Sequence, residues 1–323
     1  MIIPKENGYF KNFQGHDRFD VPEPIYRVTG GYGGESYLII GRDKAALHDC
    51  GMACFSRELI SNIHEVLDPL GMKPDYCIMS HSHYDHIGAL PYILKEWPDM
   101  EVVGARKCVS VFNSEDAKRT MERLGNNARE LYGCDCEPVT ADGLRIDHVM
   151  EEGEELDLGG VRVKFFEAKG HTDCSAIYMV YPKKILFANE SMAQINGPGV
   201  VRTSCLKGFM QSIESAKKAA SLKAEYIIAM HYGLIPKSYN EKFFEDYIEE
   251  ATWELGLIKR AINNGLTDDE VCKLHESIYW NEERRLNQPY DANHLNTMII
   301  IKRVRREMEA NNGKLLSTER KDL

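Results

Sequence analysis

The chain has 323 residues, of which 43% are hydrophobic and 28% charged, and its formal net charge is −10. This composition is ordinary for a globular protein, and the length suits one large domain with an appendage. The acidic balance argues against nucleic-acid binding, which depends on cationic contacts with phosphates. No apolar run approaches the ~20 residues of a membrane span, and no apolar leader follows Met1. Nine cysteines, an odd number, suggest reduced thiols, so we expect a cytoplasmic protein without membrane association.

The first third of the chain predicts alternating strands and helices. Apolar runs at 25–28 and 36–40 predict two strands joined by a glycine-rich turn, which no helix follows and which therefore does not resemble a phosphate-binding loop. Apolar residues recur at helical spacing between Phe55 and Leu67 and predict an amphipathic helix. Residues 113–145 are polar, and we expect an irregular insertion near the functional cleft.

Residues 81–86 read His-Ser-His-Tyr-Asp-His and follow a buried strand. Residues i and i+2 of an extended segment face the same side, so His81 and His83 can bind one cation together. Asp85 and His86 follow after the chain bends and can reach a second cation. Imidazole suits zinc, iron and related ions, and a carboxylate adds charge. The pattern therefore predicts a metal site, and we weigh it above a surface loop that is rich in histidine by chance.

Three later strand ends bring further donors. His171 lies at a tight turn between two strands, Glu190 ends a strand, and His231 ends another. Any one of them alone would be read as a hydrogen-bonded structural residue. Their recurrence after the 81–86 segment favours a shared metal centre.

The part of the chain after Gly233 predicts helices. Apolar residues recur at three and four from Tyr239 to Ile262, and Thr267 begins a capping box for the next helix. We expect residues 239–323 to form a mainly helical appendage, with a strand returning at 293–303. This appendage is a lid over the cleft, or it packs its apolar stripe against the core or against a second subunit, and a lid that also forms a homodimer contact satisfies both interpretations.

The chain resembles the metallo-β-lactamase fold superfamily over roughly residues 25–232. The resemblance is carried by the 81–86 segment, by Gly-His-Thr at 170–172 and more weakly by Asp49 and Gly51. It implies an α+β, four-layer αββα sandwich in residues 1–238, with two divalent metal ions. Zinc is the first expectation, and iron and manganese are alternatives. The implied ligands are His81, His83 and His171 for the first ion and Asp85, His86 and His231 for the second.

Two positions depart from the pattern of the family. Glu190 stands where most members have a bridging aspartate, and the longer side chain either bridges both metals, binds one of them or holds only a water. We favour ligation. Lys169 stands where proline is common. It is either a cation for an anionic substrate or, as we favour, a solvated lysine.

The resemblance implies metal-dependent hydrolysis of a small ester, lactone or thioester by a metal-bound hydroxide. Asp85 would orient the nucleophile or pass a proton, and Tyr232 would donate a hydrogen bond to a developing oxyanion. Tyr84 is interpreted mostly as a packing residue. Phosphodiester and sulfate-ester hydrolysis are alternatives within the same chemistry.

Two other functional classes stay open at this stage. Flavodiiron oxidoreductases share the fold, although their second ligand is usually a glutamate at the position held here by His83. The region outside the resemblance is also too short and too helical for the flavodoxin-like domain of those enzymes. The third class is a binding protein with little turnover, which the intact ligand set disfavours.

Overall fold

The computed structural model describes residues 16–195, 201–287 and 289–319. Residues 1–15 of the expected catalytic domain and residues 320–323 of the expected appendage lie outside this range. Two six-stranded sheets form the centre of the molecule. The strands of the first sheet, in order, are β1 (Ile25–Arg27), β2 (Tyr37–Ile40), β3 (Ala45–His48), β4 (Pro74–Ile78), β5 (Glu101–Ala105) and β6 (His148–Met150).

The second sheet is formed by strands that come later in the chain. One of them returns across the sheet to pair with a strand that precedes it by about forty residues. Its strands are β7 (Glu155–Asp157), β8 (Arg162–Glu167), β9 (Ala176–Tyr181), β10 (Ile185–Ala188), β13 (Tyr226–Ala229) and β14 (Gly233–Leu234). A separate two-stranded ribbon joins β11 (Gln194–Ile195) to β12 (Val201–Arg202). Strand β13 runs parallel to β10, and β10 runs antiparallel to β9.

Helices pack on the outer faces of both sheets. They are α1 (Ser56–Leu67), α2 (Tyr84–Ile87), α3 (Leu90–Glu96), α4 (Arg106–Phe112), α5 (Glu115–Leu131), α6 (Phe209–Ser221), α7 (Asn240–Asn263), α8 (Asp268–Tyr279), α9 (Glu282–Asn287) and α10 (Tyr290–Glu319). Short 3-10 turns lie at Ala53–Phe55, Asp68–Leu70 and Lys237–Tyr239. Helical connections between β3, β4, β5 and β6 make these four strands parallel.

The alternation of side chains along β9 shows how the layers form. Tyr178 and Val180 point into the core between the two sheets, whereas Ile177 and Met179 point into the core beneath α6 and α7. A strand buried on both faces reads as a continuous apolar run, which is how residues 176–181 read in the sequence. The expected αββα sandwich with C-terminal helices is confirmed.

Two local predictions are wrong. Residues 113–145 are not irregular throughout, because α5 occupies 115–131, with Ser114 accepting a hydrogen bond from the Ala117 amide at its N-terminus. Residues 293–303 do not return as a strand, because they lie inside α10. Thr297, Ile300, Ile301 and Val304 are buried at intervals of three, one and three residues, which is a helical stripe packed against the appendage core.

Other expectations for the appendage are met. The predicted helix at 239–262 is α7, one residue displaced at each end, and Thr267 and Glu270 form the expected capping box at the start of α8. Within the described residues, none of the helices has the length and apolar character needed to cross a bilayer.

Candidate metal centre

The donor residues lie together because they end neighbouring strands. The 81–86 segment follows β4, Glu190 follows β10, His231 follows β13, and His171 lies in the turn between β8 and β9. The backbone is bent sharply at these points: φ is +64° at His231 and +135° at Gly170, which precedes His171. A Cβ at Gly170 would also collide with Ser212, so only glycine fits before this histidine.

His81, His83 and His171 form the first donor group. The three ligand nitrogens lie within 4.8 Å of one another. His83 Nδ1 is 2.9 Å from His171 Nε2. The Nε2 atom of His81 is buried and has no hydrogen-bond partner among the described residues. Converging imidazole nitrogens of this kind are what a shared cation requires.

Asp85, His86 and His231 form the second donor group, again with ligand atoms within 4.8 Å of one another. The Nε2 atoms of His86 and His231 are 3.1 Å apart. Asp85 Oδ2 lies 3.6 Å from His231 Nε2 and 3.8 Å from His86 Nε2. The aspartate side chain is 16% exposed, so this group retains access to solvent.

Glu190 lies between the two groups. Its Oε1 atom is 2.6 Å from His86 Nε2 and 2.9 Å from His231 Nε2, whereas its Oε2 atom is 3.6 Å from His81 Nδ1. Oε2 is buried without a hydrogen-bond partner in the described structure. The carboxylate thus directs one oxygen to each group, in the position that a bridging ligand would take.

The electrostatics of the cluster match a cation site. Burial lowers the pKa of His81 and His171 and brings the pKa of His83 to about 3, so these imidazoles stay neutral and able to donate a lone pair. Burial alone would raise the pKa of Glu190, but the nearby His86 imidazole and the hydrogen bonds from His86 and His231 outweigh that effect and hold the pKa well below its usual value. A buried carboxylate that stays ionised supplies negative charge where a cation would bind.

Hydrogen bonds on the outer side of the rings fix which nitrogen faces the centre. His86 Nδ1 donates to Asp49 Oδ2 at 2.8 Å, His171 Nδ1 to the Ser204 carbonyl at 2.8 Å, and His231 Nδ1 to the Gly33 carbonyl at 3.1 Å. With Nδ1 donating, each Nε2 presents its lone pair inward. Asp49 thus supports the ring of His86, and the Gly33 carbonyl places the glycine-rich turn beside the donor cluster.

The spacing of the donors fits divalent metals. Metal–nitrogen bonds of about 2.0–2.1 Å place two ligands of one ion about 2.9–3.4 Å apart. The closest nitrogen pairs, at 2.9 and 3.1 Å, fall in that range. Two of the buried atoms without hydrogen-bond partners, His81 Nε2 and Glu190 Oε2, are also explained by ions that the donors would hold.

Asp49→Asn should weaken metal binding. The substitution keeps the shape of the side chain but removes the charge that accepts from His86 Nδ1 and from the Ser80 amide and hydroxyl. Losses of such supporting contacts typically cost 10- to 100-fold in metal affinity. Competition with a chelator would measure the effect. Asp75→Asn is the matched control, because Asp75 accepts from a backbone amide away from the cluster; equal affinities in both variants would contradict the role of Asp49.

A cavity of about 430 Å³ opens onto the centre. Its floor includes His83, Asp85, His171 and Glu190. Its walls come from α4, α5, the 171–174 loop, the segment before α6 and α10. The wall residues include Lys107, Val111, Met121, Leu124, Leu206, Lys207, Ala292, Leu295, Asn296 and Ile299. The last helix of the appendage therefore covers the cleft of its own chain.

Two residues that the sequence singled out do not line the part of the cavity formed by the described residues. Tyr232 packs in the core beside the second sheet, with the Arg18 guanidinium 5.3 Å from its ring centre, and it is not part of the cavity wall formed by the described residues. Its catalytic role stays a prediction. Lys169 pairs with Glu167 at 2.9 Å and does not line the cavity, which agrees with the favoured interpretation of a solvated lysine.

Sequence reasoning missed the cavity walls. Lys107 and Leu295 lie on helices whose sequences show no motif, and only the packing of α4 and α10 brings them to the metal centre. Tyr84 is both a packing residue and a cavity residue. It is 7% exposed and belongs to a core cluster with Met52 and Leu124, and it also borders the cavity. The 3–4 spacing of 292, 295, 296 and 299 was the one available signal that α10 has an inner face.

Comparison with known proteins agrees with this geometry. The family model described as the metallo-beta-lactamase superfamily matches residues 29–231. The metallo-beta-lactamase fold-containing protein ST1585 of Sulfurisphaera tokodaii is 30% identical over 186 residues, 55% of this chain and 66% of the relative. Its crystal structure, described as from Sulfolobus tokodaii, aligns over 71% of this chain and 86% of that chain with a TM-score of 0.54 and 22% identity.

Two further likenesses show the breadth of the group. The crystal structure of the metallo-beta-lactamase family protein TTHA1429 from Thermus thermophilus covers 86% of this chain and 93% of that chain, with a TM-score of 0.60 and 16% identity. Rubredoxin-oxygen oxidoreductase of Megalodesulfovibrio gigas is 27% identical over 157 residues, 48% of this chain but 33% of the relative. Since the family model alone matches well over half of the chain, this protein belongs to the metallo-beta-lactamase superfamily, whose fold binds divalent metals through such a His/Asp/Glu cluster.

Proposed function

We propose that the protein is a metal-dependent hydrolase of small esters, lactones or thioesters. The observation that carries the proposal is the opening of two adjoining donor groups, linked by Glu190, into a largely apolar cavity. Five imidazoles and two carboxylates form a nitrogen-rich set that suits zinc, which we propose as the resident metal. Two zinc ions would supply Lewis acidity and lower the pKa of a bound water toward neutrality.

The residues of the chain divide the remaining work. His81, His83 and His171 would hold one ion, Asp85, His86 and His231 the other, and Glu190 would keep the two at a fixed separation. Asp85 also borders the cavity, so its free oxygen can orient the attacking water or accept its proton. The helices α5 and α10 line the cavity and limit the access of bulk water to it, which strengthens these electrostatic contacts.

The cavity walls favour a substrate with an apolar portion. Leu124, Leu206 and Leu295 are among the residues that line it, and so are two lysines. Lys207 is paired with Asp173 at 3.1 Å, whereas no ion pair of Lys107 is found within the described residues. The combination suits an acyl group held by the apolar wall and a polar or anionic leaving group near Lys107.

Leu295→Ser should discriminate substrates by chain length. The loss of part of the apolar wall is expected to raise KM for an octanoyl ester about 5-fold, corresponding to about 1 kcal/mol of lost apolar contact, and to leave KM for an acetyl ester unchanged. Leu131→Ser is the matched control, because Leu131 is 51% exposed and lies outside the cavity. An equal rise for both esters would argue that the wall does not bind the acyl chain.

A substrate panel tests the proposed reaction. The protein, loaded with zinc, is assayed against aryl esters of graded chain length, a lactone, an acyl thioester, a phosphodiester and a sulfate ester. We expect the highest kcat/KM within the first three classes. A preference of more than 10-fold for the phosphodiester or the sulfate ester would support a hydrolase but contradict the proposed substrate class. No turnover of any member would favour a binding protein.

A redox function is the second candidate. The likeness to rubredoxin-oxygen oxidoreductase favours it, and imidazole and carboxylate donors also suit iron. The cavity of about 430 Å³ is larger than a diatomic gas requires, and this size weighs against the redox candidate. Oxygen consumption by the iron-loaded protein with an external electron donor distinguishes the two candidates.

A further inference from the structure

A second cluster of metal-binding side chains lies in the helical appendage, away from the centre described above. Cys272 and Glu276 are one turn apart on α8, and His294 faces them from α10. Cys272 Sγ is 3.6 Å from His294 Nδ1 and 3.7 Å from Glu276 Oε1, and His294 Nδ1 is 3.0 Å from Glu276 Oε1. Three different donor atoms therefore meet at one point between two helices.

These separations match the edges of a coordination tetrahedron. Zinc bonded to sulfur at about 2.3 Å and to nitrogen and oxygen at about 2.0–2.1 Å places sulfur about 3.5 Å from the other donors and nitrogen about 3.3 Å from oxygen. The observed triangle deviates from these values by only a few tenths of an ångström. No rearrangement of either helix is needed for the three donors to share an ion.

Burial and access are also suitable. Cys272 is 1% exposed, which protects a thiolate from oxidants, whereas the His294 side chain is 46% exposed and leaves a path for an ion. A Cys, His and carboxylate set fits zinc and other borderline metals better than calcium or magnesium, which prefer oxygen alone. We propose that Cys272, Glu276 and His294 form a mononuclear zinc site, with water in the fourth position.

The position of this site connects it to the catalytic cavity. Ala292, Leu295 and Asn296 of α10 line the cavity, and His294 lies between them in the sequence. An ion bound to α8 and α10 together would fix the first turns of α10 and hold the cavity wall in place. The ion would thus influence the cavity through α10, whose other face lines it. This influence on substrate binding rests on the proposed function, whereas metal binding itself does not.

Cobalt binding to the whole 323-residue chain tests the site without any assay of activity. Cobalt bound to a thiolate gives a charge-transfer band in the near ultraviolet, which the His and carboxylate donors of the dinuclear centre cannot give. The wild-type protein should show the band, and Cys272→Ser should lose it. Cys174→Ser should keep the band. Cys174 borders the dinuclear centre, so this variant controls for a thiol that lies close to a different metal site. A band lost in Cys174→Ser and kept in Cys272→Ser would overturn the proposal.

His294→Gln is the second variant, since it changes a half-exposed ligand and spares the packing of a buried residue. Elemental analysis after zinc loading should give about one zinc fewer per chain in His294→Gln than in the wild type. Zinc should also raise the melting temperature of the wild type more than that of His294→Gln. Equal zinc content in the two proteins, or absence of the thiolate band at cobalt saturation, would show that the three residues form only a hydrogen-bonded structural cluster.

Discussion

Asp85→Ala is expected to lower kcat/KM for ester hydrolysis at least about 1000-fold, corresponding to about 4 kcal/mol of transition-state stabilisation. Asp85 Oδ2 lies within 4 Å of the Nε2 atoms of both His86 and His231, and it is the one carboxylate of the second donor group. Its loss removes a ligand and also the group that orients the attacking water. Steady-state kinetics with the best ester of the panel would measure the change.

Asp116→Ala is the matched control for this loss. Asp116 borders the same cavity but pairs with Arg119 on the surface of α5 and takes no part in the donor cluster. Its kcat/KM should remain within about 3-fold of the wild type, as is usual for exposed groups whose ion pairs contribute little. Unchanged activity in Asp85→Ala would contradict the hydrolase mechanism, and an equal loss in both variants would point to a general effect on the cavity.

Glu190→Gln should reduce the metal content of the dinuclear centre from about two ions to about one per chain and lower kcat/KM at least about 100-fold. The amide has the same shape, but it lacks the charge that lies 2.6 Å from His86, 2.9 Å from His231 and 3.6 Å from His81. Without that charge, two cations would repel each other in a buried site with little screening. Elemental analysis and kinetics on the same preparation would measure both effects.

Glu190→Asp separates the effect of the negative charge from the effect of side-chain length. It keeps the carboxylate but shortens it by one methylene, so we expect more metal than in Glu190→Gln and activity between that of Glu190→Gln and that of the wild type. If Glu190→Gln retained both ions and full activity, the interpretation of Glu190 as a bridging ligand would be wrong. If Glu190→Asp behaved as Glu190→Gln does, reach rather than charge would be the limiting factor.

The metal centre could be anticipated from the sequence because its strongest signal is local. Three histidines and an aspartate within residues 81–86 follow one strand, so their proximity needs no knowledge of the fold. Glu190 and His231 were recognisable as strand ends, since the apolar runs before them are β10 and β13. Their distance from the 81–86 segment depends on sheet order, which the family resemblance supplied and the strands alone did not.

The C-terminal part shows where the sequence was ambiguous. Residues 298–301 read Met-Ile-Ile-Ile, and β-branched runs favour strands when considered alone. In the structure Ile300 and Ile301 are buried and Ile299 is 40% exposed, so only part of the run faces the core. Tertiary packing against α7 and α8 overrides the local preference.

The cavity and the appendage cluster could not be predicted from sequence patterns. Cys272 and Glu276 are spaced for one helix face, but His294 joins them only because α10 packs against α8. Lys107, Leu124 and Leu295 likewise come from three helices that share no motif. Features that depend on the packing of separate helices appear only in the three-dimensional structure.

Metal content and turnover of one preparation test the central claim most directly. The Cys272→Ser variant is suited to this measurement, because the proposed appendage site is removed and the count reports on the dinuclear centre. Purified without added metal, it is analysed for zinc, iron and manganese and then assayed with the ester panel and for oxygen consumption. Our account predicts about two zinc ions per chain and ester hydrolysis that chelation abolishes and zinc restores. Two irons per chain with oxygen consumption and no hydrolysis would contradict it.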